Sequence, residues 1–561
     1  MLDSRTMPRF LFGSVQLDSL TSELSATRVD EVIRVLEFAE SKSNLGSYVA
    51  VMLSYEAAPA FDPVLSAHQP SEFPLAWAGA FAGATNLTTE ESATVASNSW
   101  APRVSRAEYD QAVSRIRELI AAGDTYQVNY TFPLTSTFDG DAFAWYRDLC
   151  VAQGAQYSAY LDLGRYKVLC LSPELFFERR GDQVITRPMK GTVRRGRWAA
   201  EDRDLADWLK HSSKDRAENV MIVDLLRNDL GKVSVPGSVR VSSLFDLERF
   251  ETVWQMTSTV ESTLLQGTSL VELMRALFPC GSITGAPKIS TMQIIQELER
   301  FPRGVYTGAI GLLKPGGDCV FNVPIRTVVI DSESGVATFG VGGGVTIDST
   351  AEREYEECLV KSRFLRSTPV EFQLFESILL QDGEYFLLTQ HLKRLRDSAE
   401  YFGFVFGTRI NADLERIAFD NPEGSFKVRL TLWKDGHIET QTRRIELLDR
   451  VNEVELATEP VDSSDRFLFH KTTRRRGGDN VIFWNERGEV TESSIANLVV
   501  PIDGELFTPP IECGLLPGVF RKHLLKQGKI KERVITIEEF KTAKEIFLIN
   551  SVRKWIRVIR D

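Results

Sequence analysis

The sequence contains few cysteines, no extended run of basic residues and no long apolar run. Its six cysteines, among 561 residues, are scattered without a Cys-x-x-Cys pair, so neither a zinc site nor a disulfide framework is predicted. The formal net charge is −11 and the Lys/Arg runs are short, which argues against a nucleic-acid-binding surface. The first residues lack an apolar signal core, and no later run reaches membrane-spanning length. We therefore expect a cytoplasmic protein that binds no nucleic acid and no membrane.

The length and composition predict a globular protein of several domains. Hydrophobic residues make up 43% and charged residues 25% of the chain, and 561 residues exceed what a single core organises. Ser367-Thr-Pro369 interrupts the pattern of helices and strands, which restarts after it. We predict a first domain over residues 1–366, a short linker at 367–371 and a second domain over 372–561.

An acid and an amine flank a predicted β-hairpin. Two runs of strand-forming residues, 175–177 and 184–185, are joined by a Gly-Asp turn, with Glu174 before the first run and Lys190 after the second. Because a hairpin brings its ends together, the two side chains can share one site, with a buried Lys as nucleophile and the carboxyl as general acid. The alternative from spacing alone is an ordinary hairpin with an exposed Lys.

Two predicted helices carry carboxylates on defined faces. The helix over 212–230 places Glu218 beside an apolar stripe, where it is either a partnered charge or an ordinary carboxylate near the first turn. In a later helix Glu354, Glu357 and Lys361 share a face. Such a stripe alone is typical of a solvated salt-bridge face, but two Glu on separate helices beside a bound anion would suit Mg²⁺.

Capping and breaking residues predict the ends of several elements. Capping boxes at Ser105–Glu108 and Ser349–Glu352 predict two helix starts, and Gly123 is expected to end the first helix. Two strands are predicted after residue 300, the second of which contains Arg326 (305–313 and 320–329).

Two glycine-rich segments are candidates for binding anionic groups. Residues 281–288 lead into a predicted helix over 289–299, and a small-residue loop at a helix N-terminus exposes free N–H groups. Residues 340–345 include four glycines, whose backbone amides could cradle a carboxylate. Neither signal is specific alone, because many glycine-rich turns bind nothing.

A series of motifs occurs in a fixed order between about residues 100 and 366. It comprises Gly123–Asn129, Ser172–Glu174, Arg187–Thr192, Lys214–Asp229, Gly281–Lys288, Ile325–Thr327, Gly340–Gly344 and Glu354–Glu357. The series resembles the chorismate-utilising enzymes, and among them the component I subunits of aminodeoxychorismate synthases. This resemblance implies an α+β fold, in which an α/β sandwich of two antiparallel sheets is flanked by helices and holds the active site in the cleft between the sheets.

The resemblance also implies roles for individual residues. Glu174 would protonate the departing hydroxyl of chorismate, and Lys190 would attack ring carbon C2 to form a covalent adduct that ammonia resolves at C4. Glu218 and Glu357 would bind Mg²⁺, with Asp215 and Glu354 beside them. Substrate contacts, several of them with its carboxylates, are implied for Thr192, Gly285, Ala286, Tyr306, Arg326, Gly342, Gly343 and Lys361.

Lys190 distinguishes this sequence from relatives that form anthranilate or isochorismate, which resemble the motif with Ala in that place. Gln127 agrees with this assignment, because isochorismate-forming relatives carry a water-activating Lys there. Trp254-Gln255 is a departure, since many relatives have a His at this point that contacts the substrate.

A second series of motifs occurs between about residues 370 and 561, namely Phe467–Thr473, Glu489–Leu498, Gly514–Arg521 and Phe547–Ser551. It resembles the fold type IV pyridoxal-phosphate enzymes, which include aminodeoxychorismate lyase and the branched-chain and D-amino acid aminotransferases. The resemblance implies that Lys471 binds the cofactor covalently and Glu492 pairs with its pyridine nitrogen. It also implies a phosphate site formed by Arg394, Gly518, Val519 and Ser551.

The second region departs from this family at its start. It begins almost directly at Phe375 and lacks the usual preceding strand pair. The first domain or a second subunit is therefore expected to cover the exposed edge, and a homodimer through the second domain is one way to do so.

Together the resemblances imply a bifunctional enzyme that makes 4-amino-4-deoxychorismate from chorismate and ammonia, and then eliminates pyruvate to give the folate precursor 4-aminobenzoate. No cysteine lies in a Gly-x-Cys-x-Gly elbow, so ammonia is expected from a separate glutamine amidotransferase. One alternative is an anthranilate synthase component I. Another is a second domain that is an aminotransferase or a non-catalytic structural domain.

Overall fold

The structure, a computed structural model, describes residues 10–86, 99–366, 371–407, 409–447, 450–452, 454–475, 477 and 481–559. Residues 367–370 of the predicted linker lie outside this set. The chain divides into two compact units, the first formed by residues 1–194 and 206–369 and the second by residues 195–205 and 370–561. Within the described residues, no helix has the length and apolar character needed to cross a membrane.

The first unit consists of antiparallel strands and the helices that cover them. Its strands are β1 (Phe10–Phe12), β2 (Val15–Ala26), β3 (Tyr48–Leu53), β4 (Ala76–Asn86), β5 (Ala101–Pro102), β6 (Gln127–Thr137), β7 (Ala159–Asp162), β8 (Tyr166–Cys170), β9 (Leu175–Arg180), β10 (Gln183–Arg187), β11 (Met189–Arg194), β12 (Arg240–Arg249), β13 (Val253–Thr263), β14 (Gly285–Ala286), β15 (Ala309–Leu313), β16 (Cys319–Asn322), β17 (Thr327–Asp331) and β18 (Val336–Val345). The helices up to residue 366 are α1 (Val32–Asn44), α2 (Arg106–Ala122), α3 (Ala142–Gln153), α4 (Ala199–His211), α5 (Ser213–Gly231), α6 (Leu270–Leu277), α7 (Lys288–Leu298) and α8 (Ala351–Ser362).

The strands of this unit pair in two runs that meet at β1. One run is β12-β13-β10-β9-β16-β15-β3-β4-β2, and the other is β7-β8-β17-β18-β6. Strand β1 pairs with β2 of the first run and β7 of the second, so the predicted sheets join into one network. All the pairings described for these strands are antiparallel.

Three apolar clusters show how the sheets and helices are layered. One cluster combines residues of both runs, such as Phe81 of β4 and Val168 of β8, and forms the interior of a sandwich. A second lies between α1, α6 and the first run, and a third between α2, α3 and the second run. The predicted sandwich of antiparallel sheets flanked by helices is therefore confirmed.

Several local predictions are confirmed. Helix α2 begins after Ser105, which forms the predicted capping box with Glu108, and ends at Gly123 in the left-handed conformation (φ 87°). Strands β9 and β10 form the predicted hairpin, and α5 begins after its N-cap Ser212.

Two local predictions are wrong. Arg326 does not lie inside a strand, because β16 ends at Asn322 and Arg326 has a left-handed backbone (φ 51°) in the segment before β17. Pro324 in that segment has no N–H to donate to a ladder, which favours the break. Ser349 does not cap α8. Its hydroxyl instead donates to Oε1 of Glu354 (2.7 Å), and the N-cap residue, Thr350, makes no side-chain cap bond.

The glycine-rich segment at 340–345 is the end of β18 rather than a loop. It pairs along its length with β6, whereas the pairing of β18 with β17 reaches only Phe339. The side of residues 340–345 that faces away from β6 therefore has no strand partner among the described residues.

The second unit contains a four-stranded and a nine-stranded sheet. Its strands are β19 (Leu374–Gln381), β20 (Glu384–Tyr385), β21 (Ser425–Leu432), β22 (Ile438–Arg444), β23 (Arg450–Asn452), β24 (Glu455–Leu456), β25 (Val481–Trp484), β26 (Val490–Ser493), β27 (Asn497–Ile502), β28 (Glu505–Thr508), β29 (Lys531–Glu532), β30 (Ile546–Asn550) and β31 (Lys554–Ile559). Its helices are α9 (Leu388–Phe402), α10 (Ile410–Asp420), α11 (Val519–Lys526) and α12 (Ile537–Thr542). The smaller sheet is antiparallel in the order β20-β19-β21-β22, and the larger sheet is mixed.

Residues 195–205, which we call the inserted segment, pack with the second unit although both flanking segments belong to the first. Arg195 forms a two-bond ion pair with Asp202 (2.7 and 2.8 Å) and donates to the carbonyl of Tyr401 (3.2 Å). Trp198 packs against Phe469, with 5.1 Å between the ring centroids. The division predicted from the sequence placed this segment in the first domain.

Candidate active sites

Glu174 is a buried acid at the start of β9 in the first unit. Its side chain is only 3% exposed, and its Oε1 accepts a hydrogen bond from the Ser282 hydroxyl at 2.6 Å. Burial raises the pKa of Glu174 to about 7, against the opposing effects of Ser282 and Lys190. A carboxyl with this pKa is partly protonated at neutral pH and can donate a proton.

Lys190 of β11 interacts electrostatically with Glu174. Burial lowers the pKa of the Lys190 amine, and the nearby charges of Glu218, Glu174 and Glu357 oppose that shift. A lowered pKa leaves more of the amine unprotonated and nucleophilic at neutral pH. The ends of the hairpin therefore bring acid and amine together, as the spacing predicts.

The two predicted metal ligands lie on different helices of one acidic cluster. Burial raises the pKa of Glu218 on α5, and the charges of Asp215 and Glu354 contribute to the rise. Glu357 on α8 pairs with Lys361 at 2.8 Å, and that charge lowers the pKa of Glu357. No three His, Cys, Asp or Glu side chains among the described residues form a ready-made metal site. The donor set still fits Mg²⁺, which is often held by one or two carboxylates plus substrate and water oxygens.

Arg326 is a cation without a carboxylate partner in the described part of the chain. Its Nη1 donates to Oε1 of Gln153 at 2.7 Å, and burial lowers its pKa to about 10. A bound anion would stabilise the charge of such a buried guanidinium, which supports the predicted carboxylate contact. Lys361 donates to the carbonyl of Gly342 at 2.9 Å, beside the unpaired side of β18.

The glycines of the site leave room where side chains would collide. A Cβ on Gly342 would lie 2.3 Å from the carbonyl oxygen of Tyr130, and one on Gly285 would lie 2.0 Å from that of Gln127. A Cβ on Gly343 would lie 3.1 Å from Oε2 of Glu354, so this glycine borders the acidic cluster. Close approach of β18 and β14 to β6 therefore requires glycine at the first two positions.

The remaining predicted substrate contacts are held by neighbouring strands. Tyr306 is buried, with its ring against Gly340 of β18. Thr192 of β11 donates to Oε1 of Gln255 (2.8 Å). Ala286 pairs with Gln127 in the β14–β6 ladder.

Two functional candidates depend on contacts that the sequence does not reveal. Ser282 was part of a motif but had no predicted role, although it donates to Glu174 and its carbonyl accepts from Nδ2 of Asn129 (2.6 Å). Gln127 is fully buried, and neither its amide nitrogen nor its amide oxygen has a hydrogen-bond partner within the described residues. The orphaned amide points to a polar ligand, because buried polar groups are otherwise paired.

The second unit has a cavity of about 560 Å³ that contains all of its predicted site residues. Lys471 lines this cavity, with its Nζ 5.0 Å from the centre of the Phe375 ring. Burial and the charge of Arg394 lower the pKa of Lys471 to about 7. A lysine of this kind is available as a nucleophile and as a proton carrier.

Glu492 and Arg394 are each held by a partner that the sequence did not identify. Glu492 is 4% exposed and accepts hydrogen bonds from Arg475 (2.5 Å) and from the backbone N–H of Leu516 (3.0 Å). Arg394 donates to both carboxylate oxygens of Glu376 (2.7 and 2.6 Å), which also contacts His391. No local motif such as a hairpin or capping box links these partners, so the sequence could not reveal them.

The cavity also offers a place for a phosphate group. Gly518 is the N-cap of α11, where a Cβ would lie 1.9 Å from Oδ1 of Asn497, and Val519 begins the helix. Ser551 follows β30 and is buried in the same lining. A glycine before a helix N-terminus, with Arg394 in the same lining, suits an anion. The residues present therefore fit pyridoxal phosphate.

Comparison with known protein families agrees with the division of the chain into two units. A model of the chorismate binding enzyme family matches residues 12–367, and a model of the class IV amino-transferases matches residues 461–560. The crystal structure of anthranilate synthase component I from Streptococcus pneumoniae covers 65% of this chain, and the match spans 94% of that chain, with a TM-score of 0.56 at 24% identity. That similarity shows a shared fold.

Two curated relatives illustrate the sequence similarity. The chain is 40% identical over 276 residues to aminodeoxychorismate synthase component 1 of Bacillus subtilis, which is 49% of this chain and 58% of that protein. It is also 40% identical over 261 residues to anthranilate synthase component 1 of Thermus thermophilus, which is 46% of this chain and 56% of that protein. The matches thus span a little over half the length of these relatives. Since the first family model covers more than half of the sequence, the chain belongs to the chorismate binding enzymes and carries a class IV amino-transferase domain in its C-terminal region.

Proposed function

We propose that the chain is a bifunctional enzyme that converts chorismate to 4-aminobenzoate. The first unit makes 4-amino-4-deoxychorismate from chorismate and ammonia, and the second unit removes pyruvate from that product. The observation that carries this proposal is the amine of Lys190, which has a lowered pKa and shares the surroundings of the buried acid Glu174.

Lys190 and Glu174 divide the first reaction between a nucleophile and an acid. The unprotonated Nζ of Lys190 bonds to ring carbon C2, the ring double bonds shift toward C4, and the C4 hydroxyl leaves as water with a proton from Glu174. Ammonia then bonds to C4, the double bonds shift back, and Lys190 leaves C2 as an amine. The lowered pKa of Lys190 favours the unprotonated amine that attacks C2. The raised pKa of Glu174 favours the protonated carboxyl that the leaving hydroxyl needs.

The surrounding charges orient the substrate in this proposal. Arg326 and Lys361 bind its carboxylates, and Glu218 and Glu357 hold Mg²⁺, which supplies positive charge for a carboxylate oxygen. Support comes from the absence of an acid partner for Arg326 within the described residues and from the mutual repulsion in the Glu218 cluster. Thr192, Tyr306, Gly285, Ala286, Gly342 and Gly343 shape the remaining contacts.

The second unit performs the elimination with pyridoxal phosphate as its cofactor. Lys471 and Glu492 hold the cofactor ring, and Arg394, Gly518, Val519 and Ser551 hold its phosphate. When bound, the cofactor acts as an electron sink for the carbon that bears the amine. Lys471 moves the proton at that carbon, C4, and its pKa of about 7 suits this task.

The ammonia in this proposal comes from a separate glutamine amidotransferase. The Bacillus subtilis relative is named as component 1 of its synthase, which supports a separate partner subunit. We place the enzyme in the cytoplasm, and we propose a homodimer through the second unit as a further means of covering its sheet edge.

An anthranilate synthase is the main competing function, because the chain is 40% identical to that component of Thermus thermophilus. Lys190 favours aminodeoxychorismate formation, since anthranilate-forming relatives resemble the motif with Ala in its place.

Replacement of the nucleophile tests the first step. We expect Lys190→Ala to reduce formation of 4-amino-4-deoxychorismate from chorismate and ammonium at least 100-fold, while pyruvate release from added 4-amino-4-deoxychorismate remains unchanged. Lys314→Ala, at an exposed residue that follows β15, is the control and should retain both activities. Product formation by Lys190→Ala at the wild-type rate would contradict the covalent route.

A further inference from the structure

The cavity of the second unit contains far more positive than negative charge. Six basic side chains line it, and Glu492 is the one carboxylate among the described lining residues. Arg394 is paired with Glu376, and Arg475 is paired with Glu492. Besides Lys471, this leaves Lys427, Arg429 and Arg553, and within the described residues none of these three forms an ion pair. We call these three residues the basic wall.

The basic wall is built from two elements that border the cofactor site. Lys427 and Arg429 are two residues apart on β21, so their side chains point to the same face of the sheet. Arg553 follows the predicted phosphate contact Ser551 in the turn between β30 and β31. Lys427 is exposed at the rim, whereas Arg429 and Arg553 are half-buried.

The wall lies close to the catalytic lysine of the proposed reaction. The guanidinium of Arg429 stacks 4.0 Å from the centre of the Phe375 ring, and Nζ of Lys471 lies 5.0 Å from the same centre. A small molecule whose anionic group binds the basic wall would therefore be long enough to reach Lys471 as well.

The charges of the wall repel one another. Burial lowers the pKa of Lys427, and the charges of Arg429, Arg553 and Arg443 lower it further. Clustered cations without acids destabilise a fold, and they are retained most readily where an anion binds. The carboxylates that pair with Arg394 and Arg475 do not neutralise the basic wall, because each of them already binds its own arginine.

We propose that Lys427, Arg429 and Arg553 form a carboxylate-binding site that selects dicarboxylate substrates for the second unit. This inference rests on the function proposed for that unit, because 4-amino-4-deoxychorismate carries one carboxylate on its ring and another on its enolpyruvyl group. The wall binds these groups while the amine faces Lys471. Amino acids with a single carboxylate lack half of this recognition, so the wall favours the dianion over monocarboxylate amino acids.

Binding of a non-reacting dicarboxylate tests the site directly. The probe is 3-(carboxymethoxy)benzoate, whose ring and ether carboxylates mimic those of the substrate, and 3-methoxybenzoate is the monoanionic comparison. We expect Arg553→Gln and Lys427→Gln in the full chain to weaken calorimetric binding of the dicarboxylate at least tenfold, and that of the monoanion less. Arg557→Gln, at an exposed β31 residue paired with Glu545, is the matched control and should change neither.

Kinetic and stability measurements separate recognition from a structural role. With purified 4-amino-4-deoxychorismate, the two wall variants should raise KM at least tenfold and change kcat less than threefold. Their Tm should stay equal or rise, since a repelling charge is removed, and pyridoxal phosphate affinity should not change. Unaltered dicarboxylate affinity and KM in both variants would overturn the inference. If wild-type protein fails to release pyruvate but still binds the dicarboxylate through Arg553, the proposed function fails and the site stands.

Discussion

At the scale of single residues, the first site is a set of charges whose pKa values are shifted by one another and by burial. The acid and amine were predictable, because a hairpin fixes the relation of Glu174 to Lys190 over 16 positions of local sequence. Ser282, Gln255 and Glu376 were not predicted as partners, since their contacts depend on strand register and on packing between distant segments. Local spacing therefore indicated the candidate acid and amine better than the residues that position them.

Glu174 should cost the fold stability at high pH. Its pKa rises from 4.5 in the unfolded chain to about 7 in the buried site, so the folded state holds the proton more tightly. The cost is absent below pH 4.5, grows between 4.5 and 7, and amounts to about 3 kcal/mol above pH 7. We expect Glu174→Gln to raise the free energy of unfolding at pH 8 clearly more than at pH 5, and to abolish amination.

Urea unfolding at the two pH values measures this difference. Glu297→Gln, at an exposed position of α7, is the control and should give the same small effect at both pH values. A Glu174→Gln stabilisation that does not depend on pH would refute the raised pKa.

At the scale of elements, sequence signals succeeded where the interaction is local. The capping box at Ser105 involves residues three apart and was predicted correctly, as was the hairpin of β9 and β10. The box expected at Ser349 failed because Glu354, two residues beyond Glu352 on α8, accepts a hydrogen bond from the same hydroxyl. The glycine-rich segment 340–345 was not predicted to be part of a strand, because glycines have low strand propensity and here serve close packing against β6.

The packing of the inserted segment could not be predicted from the sequence, since its partners Tyr401 and Phe469 lie more than 200 residues away. We expect Arg195→Ala to destabilise the second unit by about 3 to 5 kcal/mol, because it breaks the buried two-bond ion pair with Asp202. Tyr401, whose ring centroid lies 4.4 Å from that of His470, would lose its contact with Arg195 next to Lys471.

Calorimetric unfolding of the full chain tests this effect. The transition of the second unit is the one that pyridoxal phosphate shifts upward, as a ligand stabilises the domain that binds it. Arg203→Ala, at an exposed residue of α4, the helix that carries Asp202, should leave that transition unchanged. An unchanged transition in Arg195→Ala as well would show that the inserted segment is dispensable for the second unit.

At the scale of the whole molecule, two folds with different chemistry lie on one chain. Motif order predicted both the antiparallel sandwich and the class IV amino-transferase region, because each fold brings scattered motifs to one site. The assignment of residues 195–205 to the second unit could not be predicted, since it depends on tertiary packing alone. The fusion is chemically coherent in the proposed function, because the product of the first unit is the substrate of the second.

The central claim is tested most directly by identifying the aminobenzoate made from chorismate. Purified protein is incubated with chorismate, ammonium, Mg²⁺ and pyridoxal phosphate, and the products are separated by chromatography. The proposed function predicts 4-aminobenzoate and pyruvate in equal amounts, and accumulation of 4-amino-4-deoxychorismate in Lys471→Ala. Formation of 2-aminobenzoate, or a lack of any aminobenzoate, would contradict it.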